Sequence, residues 1–192
     1  MRSLGRCALV VCCGLIAALA WPLDQSDVLL YAPFDGTLAP AVARGETTPR
    51  TDGQPTFQAG KRGQAVVCQD KHFSLSYPAA GNLNPQHGSL ALWVAPVAWK
   101  HGDGRNHNFM TVRGEPAYLL YTYISLPTYF LQLERGNPHV GGDVDWQPGV
   151  WHHLVATWQE QDFRLYVDGK LSGLDSETMS LPRKLGEWLD VG

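Results

Sequence analysis

Cysteine is scarce in the part of this chain that is expected to fold. Three of the four cysteines lie within residues 7–13, and only Cys68 lies beyond residue 20. If the first 20 residues are removed, an intrachain disulfide and a cysteine-based zinc site are excluded, and the protein must rely on its hydrophobic core. Cys68 ends the run Gln64–Cys68 and is interpreted as a small, buried apolar residue.

Basic charge is also scarce. The chain has 15 Lys and Arg residues against 18 Asp and Glu residues, a formal net charge of −3. Removing Arg2 and Arg6 with the N-terminal segment leaves 13 against 18, or −5. Nucleic-acid-binding proteins need a concentrated basic surface, so this balance argues against a nucleic-acid partner.

No apolar run is long enough to span a bilayer. Residues 1–20 combine the basic residues Arg2 and Arg6 with an apolar core of about 13 residues and the small-x-small sequence Ala18–Ala20. This pattern predicts a cleaved secretory signal peptide and an exported domain over residues 21–192, secreted, periplasmic or at the cell surface. The alternative is a lipoprotein signal at Cys12 or Cys13, but Val11 or Cys12 would then precede the acylated cysteine, where a small residue is expected.

Strong amphipathic helices and internal repeats are absent as well, whereas strand patterns are frequent. Residues Trp151–Trp158 are rich in β-formers, and Phe163–Val167 alternates apolar and polar residues. The dipeptide Asp168-Gly169 follows at once, and it tolerates the positive φ angles of a type I′ turn. The stretch therefore predicts a β-hairpin followed by a second tight turn.

Other segments of the chain also show strand periodicity. The predicted strands are Val28–Phe34, Gln64–Cys68, Phe73–Tyr77, Gly88–Pro96, Phe109–Arg113, Tyr118–Ser125, Thr128–Glu134, a short one near Val144, and Trp188–Gly192. Residues Leu38–Thr56 are predicted to form a long surface loop. Roughly ten short strands with turn signals between them predict an all-β, antiparallel two-sheet jelly-roll sandwich.

Four segments together resemble the LamG-like jelly roll of the concanavalin A-like lectin/glucanase superfamily. They are the strand ending in Phe34-Asp35-Gly36, the approach GKRGQA at 60–65, the strand GSLALWVAP at 88–96, and WHHLVATW at 151–158 with YVDGK at 166–170. The resemblance implies two sheets packed face to face. It also implies a further closing strand that pairs with the N-terminal strand. Either the domain is incomplete at its C-terminus, which is the prediction, or the sandwich has an exposed edge beside Val28–Phe34.

The superfamily includes glycoside hydrolases, whose catalytic carboxylates occur as Glu-x-Asp-x-Glu on one strand. The nearest match here is Asp143-Val144-Asp145-Trp146-Gln147, which has glutamine where the acid is required. The sequence therefore predicts that the chain is not an enzyme. The pair His152-His153 is not predicted to chelate a metal, because adjacent strand residues point to opposite faces.

Two loops have the composition of a carbohydrate site, with a tryptophan among hydrogen-bonding side chains. The candidate residues are Trp99, His101, Asp103, Arg105 and Asn106 in the first loop and Trp146 in the second. The strand tryptophans Trp93, Trp151 and Trp158 are predicted to serve in packing. The resemblance also implies calcium, and Asp35 at the end of the first strand is the candidate ligand.

The sequence thus predicts a secreted, non-catalytic LamG-like module that binds carbohydrate or a protein surface within a larger exported protein. Two alternatives stay open. The first is a structural or adhesion module without a small-molecule site, and the second is a concanavalin A-like glycoside hydrolase.

Overall fold

The computed structural model describes the chain in segments, and almost all of its regular structure is β-strand. The described residues are 9–10, 23–68, 73–98, 107–115, 120–125, 128–132, 139–140, 145–159, 162–175 and 184–192. A single 3-10 turn, Gln25–Asp27, is the helical element among them. None of their helices is long and apolar enough to cross a membrane.

Sixteen strands are present in the described part of the chain. In chain order they are β1 (Leu9–Val10), β2 (Leu30–Tyr31), β3 (Val42–Ala43), β4 (Arg50–Asp52), β5 (Phe57–Ala59), β6 (Gln64–Val66), β7 (Ser74–Pro78), β8 (His87–Val94), β9 (His107–Glu115), β10 (Leu120–Ser125), β11 (Thr128–Gln132), β12 (His139–Val140), β13 (His152–Gln159), β14 (Asp162–Val167), β15 (Lys170–Asp175) and β16 (Lys184–Val191).

The strands form two large sheets and two small hairpins. One sheet has five strands in the order β1-β8-β13-β14-β15, and the other has seven in the order β12-β11-β10-β9-β16-β7-β4. Strands β2 and β3 pair with each other, as do β5 and β6. Every pairing is antiparallel except that of β1 with β8.

The predicted hairpin is confirmed and lies at the centre of the five-stranded sheet. Strand β13 pairs with β14 on one side and with β8 on the other. Its inward residues Leu154, Ala156 and Trp158 are all buried, as period-two alternation requires. Asp168 and Gly169 have φ angles of 50° and 78°, so the type I′ turn between β14 and β15 is confirmed too.

The core lies between the two sheets. The seven-stranded sheet contributes buried residues such as Leu75, Tyr77 and Leu189, and the five-stranded sheet contributes Leu90 and Leu154. All belong to one hydrophobic cluster. The prediction of an antiparallel two-sheet sandwich is therefore confirmed.

The N-terminal third differs from the prediction in several places. The first predicted strand is shorter, because only Leu30–Tyr31 pairs regularly, and the predicted loop at 38–56 contains β3 and β4. Cys68 is not fully buried as interpreted, since its side chain is exposed beyond the end of β6, although desolvation by its surroundings raises the pKa of the thiol to about 11. A short strand is present at His139–Val140, whereas the strand expected near Val144 stays a prediction because residues 141–144 lie outside the described residues.

Candidate functional site

A row of polar residues crosses the outer face of the seven-stranded sheet. Arg50 lies opposite Ser76, Ser76 opposite Asp190, and Asp190 opposite Thr111, so the row joins β4, β7, β16 and β9. The residues on either side of Ser76 and Asp190 in their strands are core residues, which places the row on the outer face. In backbone register the row continues through Tyr121, Gln132 and His139. We call Arg50, Ser76, Asp190 and Thr111 the polar row.

The centre of the polar row is a tightly held hydroxyl–carboxylate pair. Ser76 Oγ donates a hydrogen bond to Asp190 Oδ1 at 2.7 Å. Ser76 is only 5% exposed, so its hydroxyl must be satisfied within the protein. The hydrogen bond uses one oxygen of Asp190 and fixes the orientation of the carboxylate, which remains partly exposed.

An aromatic ring lies on the same face. Trp188 precedes Asp190 by two residues in β16 and therefore shares its face, and its side chain is half-buried. The Cζ atom of Arg50 lies 4.3 Å from the centroid of the Trp188 ring, within the range of a cation–π contact. The guanidinium therefore covers part of the Trp188 ring, and the outer face presents the uncovered part of the ring together with this guanidinium and the Asp190 carboxylate. A sugar has an apolar ring face and hydroxyl groups that match such a combination.

The first loop predicted as a carbohydrate site lies outside the described residues. It contains Trp99, His101, Asp103, Arg105 and Asn106, all within residues 99–106. Their assignment to carbohydrate binding stays a prediction.

The prediction for Trp146 is corrected. The ring is only 2% exposed, with its centroid 4.2 Å from the ring of His152 and 5.8 Å from that of Phe109. Its neighbours Asp145 and Gln147 are exposed, and Gln147 Nε2 donates to Asp145 Oδ1 at 2.7 Å. The two polar residues face solvent while Trp146 between them enters the core. Trp146 is therefore not the solvent-facing platform that the sequence predicted.

Asp35, the predicted calcium ligand, is exposed and already has a backbone partner. Its Oδ1 accepts a hydrogen bond from the Gln64 N–H at 2.9 Å. Calcium takes six to eight oxygen ligands. Within the described ranges, no three His, Cys, Asp or Glu residues are grouped so that they could hold a metal ion. Calcium at Asp35 therefore stays a prediction that needs ligands from elsewhere in the chain.

The two adjacent histidines lie on opposite faces of β13, as predicted. His152 packs against Trp146 between the sheets, and His153 stacks on Trp93 on the outer face of the five-stranded sheet, with ring centroids 4.7 Å apart. Asp168 holds both residues: its Oδ2 lies 2.8 Å from His152 Nδ1, and its Oδ1 accepts from the His153 N–H at 2.9 Å. Burial lowers the pKa of His153, although the nearby Asp168 charge opposes this.

A protein-family model matches residues 69–192, which is more than half of the chain. It is a laminin G-like model, described as the concanavalin A-like lectin/glucanases superfamily. The chain belongs to this superfamily. No curated protein matches it in sequence at a significant level.

Several solved structures share the fold of this concanavalin A-like chain. One is domain 4 of AbnA, a GH43 extracellular arabinanase from Geobacillus stearothermophilus, in complex with arabinotriose. It has a TM-score of 0.62 and 17% identity, and the match covers 83% of this chain and 80% of that one. The enzymatically active domain of tailspike protein 2 from bacteriophage CBA120 has a TM-score of 0.53 and 16% identity over 79% of this chain and 26% of that one. Mouse laminin α1 domains LG4-5 have a TM-score of 0.50 and 14% identity, over 62% and 31%. The chain spans under a third of the last two structures, and such identities show the fold alone.

Sequence reasoning missed the polar row of this concanavalin A-like chain, although part of the signal was present. The alternation in Ser74-Leu75-Ser76-Tyr77 and in Trp188-Leu189-Asp190-Val191 places Ser76, Trp188 and Asp190 on outer faces. The signal for Arg50 was absent, because β4 is three exposed residues within a segment that resembles a loop. That the two strands are neighbours becomes evident only from the sheet order.

Proposed function

We propose that this chain is an exported, non-catalytic module that binds carbohydrate across the polar row. The observation that carries the proposal is the half-buried Trp188 ring beside the Ser76–Asp190 hydrogen bond on one outer sheet face. A sugar packs its apolar face against the part of the Trp188 ring that Arg50 does not cover, and its hydroxyl groups donate to Asp190 and accept from Arg50. The superfamily fold supports a glycan as the ligand class, because domain 4 of the arabinanase was solved with arabinotriose.

The composition of the polar row supports binding rather than hydrolysis. A retaining glycosidase needs two carboxylates about 5–5.5 Å apart, one as nucleophile and one as acid/base. Asp190 is the single carboxylate in the polar row, and the Ser76 hydroxyl engages one of its oxygens. We therefore expect no release of reducing ends from polysaccharides. Turnover by the wild type that Asp190→Asn or Asp145→Asn abolishes would overturn this part of the proposal.

The binding test is a glycan array followed by calorimetric titration with a hit, with arabinotriose as the first soluble probe. We expect Trp188→Ala to weaken binding about tenfold, since loss of an aromatic stacking surface removes on the order of 1–1.5 kcal/mol. Asp190→Asn, which keeps the shape and removes the charge, should weaken binding less. Calcium should be added and withheld in parallel, because Asp35 remains a candidate ligand.

The matched control is Leu171→Ala, which removes an exposed apolar side chain from strand β15 of the other sheet. It should leave the affinity unchanged. Equal binding by wild type and Trp188→Ala would remove the polar row as the site.

A structural or adhesion role is the second candidate, and Leu171 favours it. This residue is 55% exposed on β15, which is an edge strand of the five-stranded sheet. An exposed apolar edge is a surface on which another chain can pair. A glycan array with no hits, with and without calcium, would place this role first.

Export is the part of the proposal that rests on residues 1–20. The basic residues Arg2 and Arg6, the apolar segment and Ala18–Ala20 support a signal peptide. We expect the exported protein to begin at Trp21, as measured by N-terminal sequencing or intact mass. A mature protein that begins at Cys12 or Cys13 and carries lipid would support the lipoprotein alternative instead.

A further inference from the structure

The hairpin of β5 and β6 ends in a tight turn that carries two adjacent cations. Lys61 and Arg62 are exposed at its tip, and the Gly60 N–H donates to the Gly63 carbonyl at 2.9 Å. Within the described part of the chain, neither cation forms an ion pair. Two neighbouring positive charges are thus left without a protein counter-charge in contact, on a chain whose net charge is negative.

Asp35 fixes this turn to the rest of the molecule. Its Oδ1 accepts a hydrogen bond from the N–H of Gln64, the first residue after the turn, at 2.9 Å. Gly63 has a φ of +54°, and a Cβ atom there would lie only 2.6 Å from Asp35 Oδ1. Glycine therefore allows both the backbone conformation and the close approach of the carboxylate. The direction of the turn is set by the protein.

The turn brings Lys61 to an aromatic pair that belongs to a different sheet. Lys61 Nζ lies 4.9 Å from the centroid of the Trp93 ring. Trp93 in turn stacks on His153, with an interplanar angle of 27°, and the two residues lie opposite each other in the β8–β13 ladder. Their neighbours Leu92 and Leu154 are buried, so Trp93 and His153 lie on the outer face of the five-stranded sheet.

The charges around this pair favour an anion. Burial lowers the pKa of His153, so its imidazole is neutral at pH 7 and serves as a stacking partner. The two carboxylates near these elements keep their charge, but each is held in place by hydrogen bonds: Asp35 by the Gln64 N–H, and Asp168 by His152 and the His153 N–H. The ammonium and guanidinium at the turn are the groups left to recognise a ligand.

We propose that Lys61, Arg62 and Trp93 form a second binding site, on the five-stranded sheet, for a saccharide that carries a carboxylate. Lys61 and Arg62 bind the carboxylate, and the apolar face of the sugar packs against the exposed part of the Trp93–His153 pair. The Lys61–Trp93 site uses the opposite sheet from the polar row and does not depend on it.

The test is a calorimetric titration of residues 21–192 with oligogalacturonate and with its fully methyl-esterified form. The ester has the same sugar backbone but no charge, and we expect it to bind more weakly. Lys61→Glu should weaken oligogalacturonate binding about fivefold, the scale of one exposed charge pair, and should leave ester binding unchanged. Raising the salt to 0.5 M should weaken the binding of the acid form, because exposed charges are screened.

Three further variants make the result specific. Lys184→Glu introduces the same charge change at an exposed position of β16, in the other sheet, and should bind normally. Trp93→Ala should lose about tenfold in affinity; if that variant does not fold, the exposed Lys61→Glu still carries the test. Trp188→Ala, which alters the polar row, should keep the wild-type affinity for oligogalacturonate. This result would show that the Lys61–Trp93 site and the polar row are tested independently.

Four outcomes would overturn the proposal. The first three are equal binding of the acid and the ester, unchanged binding by Lys61→Glu, and absence of wild-type binding at millimolar oligogalacturonate. The fourth is tighter binding of a poly-glutamate peptide than of oligogalacturonate, which would identify the ligand as an acidic peptide.

Discussion

At the scale of single residues, Asp168 makes more stabilising contacts than its position in a turn suggests. Its carboxylate links the inward His152 to the backbone of the outward His153. Burial acts to raise the pKa of Asp168, but the hydrogen bonds from His152 and His153 and the charges of these histidines outweigh burial and lower it. The sequence indicated a turn residue here, whereas its contacts depend on the pairing of β13 with β14.

We predict that Asp168→Asn lowers the free energy of unfolding by about 1 kcal/mol at pH 7, since a partly exposed charged hydrogen bond is lost. Asparagine tolerates the φ of 50°, so the turn itself is preserved. The folded-state pKa of Asp168 lies below its unfolded value, so the carboxylate stabilises the fold above about pH 4 and loses this effect as the pH falls further. Urea unfolding between pH 2.5 and 7 should show the difference between wild type and variant shrinking at acid pH.

The control for that prediction is Asp162→Asn, which lies at the start of β14. Asp162 pairs with Arg164 at 2.8 Å, but both side chains are about half exposed. Exposed pairs of this kind contribute little to stability. If the two variants lose equal stability with the same pH dependence, Asp168 has no special role.

At the scale of strands, the sequence predicted the long elements well and the short ones poorly. Strands β8, β13 and β14 have six or eight residues with clear alternation, which a local pattern is sufficient to reveal. Strands β2, β3 and β4 have two or three residues each, too few to establish a period. They depend on partners elsewhere in the chain, such as β7 for β4.

The same limit explains the errors about individual sites. Trp146 sits in a polar segment, and its burial depends on Phe109 and His152, which are distant in sequence or on another element. The polar row joins four strands whose order in the sheet does not follow their order in the chain. Local composition identified Trp146 as a tryptophan among polar residues, but only the tertiary structure shows that its ring is buried. For Trp188, by contrast, the alternation in β16 was already sufficient to indicate an outward ring.

At the scale of the whole molecule, the segment before residue 69 belongs to the same core as the family match at 69–192. Leu30 and Ala32 are buried in the cluster that joins the two sheets. Asn82, itself 1% exposed, accepts from the N–H groups of Arg44 and Gly45 and donates to the carbonyls of Glu46 and Pro78. The hydroxyl of Tyr77 donates to the Leu38 carbonyl at 2.7 Å.

We therefore predict that residues 69–192 do not fold alone, whereas residues 21–192 do. Removing the first segment strips Asn82 of three hydrogen-bond partners and Tyr77 of one, and leaving buried polar groups unsatisfied costs about 1–3 kcal/mol each. Leu9–Val10, the described part of residues 1–20, forms a two-residue pairing with β8 and lies near β2, so we expect its loss to matter little. Thermal unfolding followed by near-UV circular dichroism should show a cooperative transition for 21–192 and none for 69–192. Within 21–192, Asn82→Ala should lower the unfolding temperature more than Asn84→Ala, because Asn84 is only partly buried and its side-chain hydrogen bonds go to the nearby His87 and Gln86. A cooperative transition in 69–192 at the same temperature as in 21–192 would show that the family-matched region is stable by itself.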